Sequence, residues 1–475
     1  MKRAMNPDGS ARPGEFSSYL PEPHLPGPVP PLKPLSFFSF LRTMQDNAIA
    51  VYDERAYEEW LVETKFFRLR NFILNDPEGI RRVLLDHAAN YAKGNIEPQV
   101  GTAGVGRKTN PGEEARWHAR RRLALPAFDY RSVSSYVPIM TEAAERLLSQ
   151  WDSSPPGTVV DLAGSSCFQQ VTVEVISRRV FSSDSEEIAR LVAEFMTRRR
   201  SEIMIHPLDF IPFVDKVWAR YRNRRERRAF ADVMAAIERL VASRSAEQTP
   251  SHDDFLDRLI AAQEEGSDRR IGRAEAQGNA LTILMVGHET VTWTLAWIWY
   301  MLSQHPTEEA KVHAELDSVL GGRTPTQEDI ARLPYTRMFV EETMRLYPPF
   351  HTLAWRETLA DDELCGRPIR KGTIISIVPW VLHRHRKLWE DPERFDPERF
   401  SPERSAGRSR FAYLPFGMGP RVCIGAVFAM TQIMLVLATL AQRYRLRLAP
   451  GHRVEPQARV MLRTRSGMKM VLEKR

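Results

Sequence analysis

The chain has 475 residues, 43% hydrophobic, 27% charged and 9% aromatic, ample for a packed core, which excludes a disordered or collagen-like polymer. Lys and Arg number 67 against 60 Asp and Glu, and the net charge of +7 fits an acidic partner without demanding nucleic acid. No apolar run reaches the roughly 18–20 residues of a membrane span, no secretory core segment opens the chain, and Cys167, Cys365 and Cys423 are too scattered for a disulfide framework, so a soluble, cytoplasmic protein is expected.

Residues 1–35 are rich in Pro, Gly and Ser and run through LPGPVPPLKP, which predicts an extended arm that becomes ordered where it meets the body. Residues 36–475 read as a single domain. From Val62 to Leu74, aromatic and aliphatic residues followed by turn residues predict strands. Asp76-Pro77 then opens a helix with Ile80, Val83 and Leu84 spaced three and four apart. Residues 112–305 read mainly as helices, the longest from Arg273 to Gln304, where Pro306 stops it. Its centre is apolar nearly all round, so it should cross the interior. IRKGTIISIVPW restores strand character, and a last apolar helix is predicted from about Cys423 to Arg443. The class is α+β, mainly helical.

Three patterns suggest other chemistry and fail on context. Gly101-Thr-Ala-Gly-Val-Gly106-Arg107-Lys108-Thr109 nearly spells a phosphate-binding loop, but Arg107 is one residue too many and no strand-to-helix turn surrounds it. Arg198–Arg200 and Arg222–Arg228 sit in helical patterns with interleaved Glu and aromatics, and read as solvated faces. His383 and His385 alternate in HRHR with no carboxylate or thiol at metal-ligand spacing, and are read as structural.

The informative segment is Phe416-Gly417-Met418-Gly419-Pro420-Arg421-Val422-Cys423-Ile424-Gly425. Glycines and a proline make a tight loop, with a lone Cys where a helix begins. The helix's positive end, its N–H groups and Arg421 are expected to lower the thiol pKa. Such a thiolate suits an iron porphyrin as an electron-donating axial ligand. Packing as a small buried hydrophobe fits Cys167 and Cys365, but leaves the glycines around Cys423 without a reason.

This segment resembles the haem-binding signature F-x-x-G-x-R-x-C-x-G of the cytochromes P-450, with Phe416, Gly419, Arg421, Cys423 and Gly425 at every fixed position. Four further segments match in the family's order. They are Trp117 to Arg121 (W-x-x-x-R of the C helix), Gly287-His288-Glu289-Thr290 (the acid–alcohol segment of the I helix), Glu342 to Arg345 (E-x-x-R of the K helix) and Pro397-Glu398-Arg399-Phe400. The resemblance covers about residues 36–475 and implies the P-450 fold, with a long central I helix and small β-sheets.

It also implies roles. Cys423 would be the iron ligand of haem b, with Trp117, Arg121, Arg356, Phe416, Arg421 and Gly425 in the cofactor site and Trp117 and the three Arg paired with haem carboxylates. Glu342, Arg345 and Arg399 would form a buried ion cluster supporting that core. Thr290 would order water, Glu289 relay protons, and Gly287 leave room for oxygen, against the plainer alternative of Thr290 bonding back to its own helix. Two positions depart from the family: Val286 stands where Ala or Gly is usual, and Arg356 is shifted by one residue, with Trp355 at the common offset.

The implied reaction is insertion of one atom of O2 into a C–H or C=C bond of a hydrophobic small molecule. Electrons would come from a separate ferredoxin or flavodoxin-type donor with its reductase, docking near Cys423, with no nucleic acid and no membrane span. Gly94–Lys108, Ile203–Phe213, Leu284–Thr290, Phe350–Leu353 and Thr464–Gly467 would line the substrate pocket, leaving fatty acid, terpenoid, steroid and aromatic substrates open. A peroxide-driven or isomerase-type haem-thiolate enzyme is the alternative the Glu289-Thr290 pair argues against, and a gas-binding protein the one for which no output domain is left.

Overall fold

Leu61–Phe66 (β1) and Leu69–Leu74 (β2) pair antiparallel, Leu61 opposite Leu74 and Phe66 opposite Leu69, where the Val62–Leu74 pattern predicts strands. The computed structural model describes residues 25–66, 69–93, 117–118, 121–122, 124–162, 167–182, 187, 190–191, 224–246, 254–257, 273–459 and 461–475. Its further strands are Tyr91–Lys93 (β3), Val159–Asp161 (β4), Ala354–Thr358 (β5), Asp362–Leu364 (β6), Arg367–Ile369 (β7), Ile374–Ile377 (β8), Tyr444–Leu448 (β9), Pro456–Ala458 (β10), Leu462–Thr464 (β11) and Lys469–Lys474 (β12). The order β1-β2-β8-β5-β3 makes a five-stranded sheet, with β2 and β8 parallel and Asn71 opposite Ile374. β4-β12-β9 form a second, antiparallel sheet, while β10-β11 and β6-β7 are two-stranded. The β6–β7 turn is Cys365-Gly366, with φ 51° and 70°, the left-handed pair that a two-residue hairpin demands. Cys365 is therefore exposed, against the expectation of a buried thiol, whereas Cys167 is buried.

The helices of ten or more residues are Phe37–Asp46 (α1), Val137–Asp152 (α2), Phe168–Phe181 (α3), Arg224–Ala246 (α4), Arg273–Gln304 (α5), Pro306–Leu320 (α6), Pro334–Leu346 (α7) and Ala426–Ala441 (α8). α5 has the bounds read from the sequence, and Pro306 opens α6 where it stops α5. Every residue from Val291 to Leu302 is buried, so α5 does cross the interior, packed by α3, α4, α7 and α8. Asp76 caps the short helix Pro77–Arg81, its Oδ2 accepting the Gly79 N–H at 2.8 Å. A smaller apolar cluster lies under the five-stranded sheet, joining Phe72, Ile80, Val83, Leu84, Ile375 and Leu414. No helix among the described residues is long and apolar enough to cross a membrane.

From Leu25 on, the chain touches the body. Leu25 packs against the main core, the Tyr347 hydroxyl donates to the Pro26 carbonyl at 3.2 Å, and the Glu54 N–H donates to the Pro31 carbonyl at 3.1 Å.

Candidate functional site

Two backbone hydrogen bonds set the shape of the Cys423 loop. Leu414 C=O accepts the Gly417 N–H at 3.2 Å, and Phe416 C=O accepts the Cys423 N–H at 2.8 Å, closing the turn. Between them Gly419 (φ 78°) passes against the turn Arg82–Asp86, where a Cβ would stand 1.9 Å from the Leu84 carbonyl oxygen. Only glycine fits there, on grounds of both conformation and space. Helix α8 starts at Ala426 with Gly425 as its cap, three residues later than predicted, because Cys423 is held in the loop by Phe416.

Cys423 is exposed, yet burial pushes its thiol up, while the Gly425 N–H and Arg121 pull it down. The residue is thus reachable while its thiol is poorly hydrated. Desolvation thus outweighs the Gly425 N–H and the Arg121 charge, opposite to the lowering expected from the helix end and the cations.

Arg121, Trp117 and Arg421 assemble beside the thiol. The guanidinium of Arg421 lies 4.2 Å from the Trp117 ring centre and that of Arg121 lies 5.5 Å from it. Arg121 Nη2 also donates to the Val422 carbonyl at 2.6 Å, tying the C-helix motif to the cysteine loop. Burial draws Arg121 below its ordinary value, Cys423 opposes this and Arg421 reinforces it, so the three groups share one field. Arg356 is buried on β5 on the same face as Ala354 and Thr358, while Trp355 turns to the other face. Phe416 is half-buried and packs against the main core.

Glu342, Arg345 and Arg399 lie together in the structure. Arg345 Nε and Nη2 donate to Glu342 Oε2 and Oε1 at 2.6 and 2.8 Å, both side chains being fully buried. Arg399 Nε stands 3.4 Å from Glu342 Oε1, its Nη2 donating instead to the Asp391 carbonyl at 2.9 Å. The remaining Arg345 hydrogens reach the carbonyls of His383, Pro392 and Arg394 at 2.7, 2.7 and 3.1 Å. The ring of His383, read from the sequence as structural, bridges α7 and the start of the cysteine loop. The HRHR pattern carries no sign of this, since both bonds go to backbone atoms.

On α5, Thr282 and Val286 are exposed and Glu289 and Thr290 half-buried, forming a stripe one helical turn apart along a mostly buried helix. Thr290 Oγ1 donates to the Val286 carbonyl at 3.1 Å, the local bond of the plainer alternative. Gly287 faces α3, where Ile176 fills the space a side chain would take, so in this structure the glycine serves helix contact. α5 packs on α8, which places this stripe on the helix neighbouring the cysteine loop. The stretches Gly94–Lys108 and Ile203–Phe213, the run Arg198–Arg200 and the glycine-rich Gly101–Thr109 lie outside the described residues. In the Thr464–Gly467 turn, Thr464 Oγ1 donates to the Gly467 carbonyl at 2.6 Å.

An exposed Cys423 with a poorly hydrated thiol, two guanidiniums on an indole and a glycine turn excluding any side chain fit a flat iron macrocycle bearing two carboxylates. The comparisons agree. The family model for cytochrome P-450 matches residues 28–471. Cyclooctat-9-en-7-ol 5-monooxygenase of Streptomyces melanosporofaciens is 32% identical over 392 residues, 82% of this chain and 83% of its own length. Pentalenene oxygenase of Streptomyces avermitilis is 30% identical over 393 residues, 80% of this chain and 83% of its own length. A crystal structure of a cytochrome P-450 haem domain shares the fold, with a TM-score of 0.77 at 21% identity over 95% of this chain and 98% of that one. Matched from residue 28 to residue 471 by one family model, the chain belongs to the cytochrome P-450 family.

Proposed function

We propose that Cys423 holds the haem iron and that Trp117, Arg121, Arg421 and Arg356 face the haem carboxylates in a single haem domain reaching from residue 36 to residue 475. The chain is a cytochrome P-450 monooxygenase with haem b, acting on a hydrophobic small molecule with O2 and a redox partner. When bound, the haem supplies oxygen activation and oxidation of the substrate, with a thiolate ligand favouring O–O cleavage. The chain's own residues do the rest. Arg121 and Arg421, stacked on Trp117, bring positive charge that a carboxylate can accept in place of water. The Val286, Glu289 and Thr290 stripe supplies an apolar wall with one carboxylate and one hydroxyl. Thr290 can rotate from the Val286 carbonyl to hold a water, and Glu289 can deliver a proton to it from solvent, which supports an O2-dependent reaction over a peroxide-driven one.

For the substrate we infer a terpenoid-sized hydrocarbon, supported by the names of the two Streptomyces relatives and the apolar exposed Val286. For the electron donor we infer an acidic ferredoxin or flavodoxin, supported by the positive net charge and by exposed Arg410 next to the Pro77–Arg81 helix near the loop. For the compartment we infer the cytoplasm, supported by cysteines too few and too scattered for a disulfide framework. The single observation carrying the reading is the exposed Cys423 in a loop locked by Phe416 and excluding side chains at Gly419. The test is the Soret band of the reduced protein under carbon monoxide. A thiolate-type red shift, lost in Cys423→Ser, is expected; a band at the position of a neutral-His complex in the wild type would overturn it.

A further inference from the structure

We propose that His383 is a positioning residue that fastens the start of the Cys423 loop to the end of α7. The proposal rests on the reading of Cys423 as the haem ligand. His383 follows the short helix Pro379–Leu382 and is fully buried. Its Nε2 lies 2.9 Å from the Leu414 peptide nitrogen, and its Nδ1 lies 3.2 Å from the Arg345 carbonyl oxygen. A peptide N–H can only donate, so Nε2 is the bare, accepting nitrogen. The proton therefore sits on Nδ1 and points to the Arg345 carbonyl, an acceptor. One neutral tautomer satisfies both ends, and burial keeps it neutral, pulling the ring down to about 3.

The bridge reaches the sulfur in short steps. Leu414, held through its N–H, gives its carbonyl to the Gly417 N–H, and Phe416 gives its carbonyl to the Cys423 N–H. At the other end His383 meets Arg345 twice, through the ring and through its own carbonyl, which accepts Arg345 Nη1 at 2.7 Å. Arg345 is the residue whose remaining hydrogens hold Glu342. A second strut runs alongside: the Tyr413 hydroxyl donates to the Glu341 carbonyl at 2.9 Å, its ring centre 5.1 Å from that of His383. Adjacent residues 413 and 414 are thus pinned to the last turns of α7, and the loop inherits its position from the ion cluster.

A buried histidine bonded away from the loop provides the contrast. His385, two residues on, is equally buried, stacks on Trp60 at 4.8 Å and points Nε2 at the Glu59 carbonyl, 3.3 Å away. None of its contacts touches the cysteine loop.

The experiment uses haem-loaded protein and follows two rates: decay of the thiolate-type carbon monoxide band after reduction, and transfer of ferric haem to excess apomyoglobin. His383→Phe keeps a planar aromatic ring and leaves Leu414 N–H and Arg345 C=O without partners, so both rates should rise about tenfold. His383→Gln, with a donor and an acceptor and enough reach, should stay near wild type. His385→Phe should lower the melting temperature and leave the band's lifetime unchanged. An unchanged lifetime in His383→Phe, or an equal loss in His385→Phe, overturns the proposal. If His383→Phe yields no loaded protein, His383→Asn decides: it has the donor and acceptor but a shorter reach, and a lifetime equal to that of His383→Gln overturns the proposal. A wild type lacking the thiolate band would defeat the Cys423 reading instead, and haem transfer would still test His383.

Discussion

Gly287 and Ile176 are in contact across the crossing of α5 and α3: a Cβ on Gly287 would lie 3.1 Å from Ile176 Cδ1 and 3.2 Å from its Cγ1. The glycine that the family resemblance assigns to oxygen access therefore also sets how closely two core helices approach. Gly287→Ala is expected to destabilise the haem-loaded protein by about 1–3 kcal/mol through overpacking. Ile176→Val removes the nearer methyl, and the double variant should be less destabilised than the two single changes added together. Denaturant midpoints of the four proteins check this; strict additivity would mean that the helices part elsewhere.

Thr290→Ala should separate the two roles open to that hydroxyl. Its bond to the Val286 carbonyl lies within one helix, and its loss should cost no more than about 0.5–1.5 kcal/mol. Haem content should hold, while the share of reducing equivalents found in product falls and peroxide rises. Product and peroxide per equivalent are the measurement. Unchanged coupling would leave Thr290 only its helical bond.

Glu342→Ala strands Arg345 and Arg399, whose side chains are 0% and 5% exposed. Breaking a buried pair costs roughly 3–5 kcal/mol, a large part of the 5–15 kcal/mol by which domains are typically stable. The variant should be recovered with little haem and a much lower melting temperature. Full haem loading would show that the carbonyls of His383, Pro392 and Arg394 suffice to hold Arg345.

His313 predicts the acid response. It is buried on α6, and neither ring nitrogen has a hydrogen-bond partner. Burial, helped by Arg475 and Arg445 and opposed by Asp317, pulls it down to about 3 from an ordinary value of 6.5. The folded pKa is depressed, so the neutral ring's contribution is intact above pH 6.5 and declines as the pH falls toward 3, because only the unfolded chain takes up the proton. The slope for one such group is at most about 1.4 kcal/mol per pH unit. His313→Leu should flatten the stability curve between these limits; an unchanged curve would show that the ring is protonated in the fold.

The parts legible in the sequence were those carried by spacing. α5 keeps its read bounds because a long apolar run ends on Pro306, and β1–β2 because alternation and turn residues coincide. The Glu342–Arg345 pair follows from an i, i+3 spacing on one helix. Backbone-mediated features were not legible. Cys423 lies ahead of α8 because its own N–H is taken by Phe416, a bond with no sequence signature. His383 bridges two peptide groups 69 residues apart in the chain (Arg345 and Leu414), and Arg121 donates to the Val422 carbonyl, contacts that any side chains at those backbone positions would permit. The thiol's raised pKa likewise depends on how deeply the loop is folded in, which residue order does not state.

The bond between the Tyr347 hydroxyl and the Pro26 carbonyl spans 321 residues of chain. During synthesis, at about 5–20 residues per second, the arm must wait tens of seconds on the ribosome for its anchor to be made. The anchor itself precedes the cysteine loop in the chain, so the Pro26 contact can close before that loop exists. The Pro31 contact with Glu54 can form early, whereas the segment around Pro26 stays available to chaperones until Tyr347 has emerged.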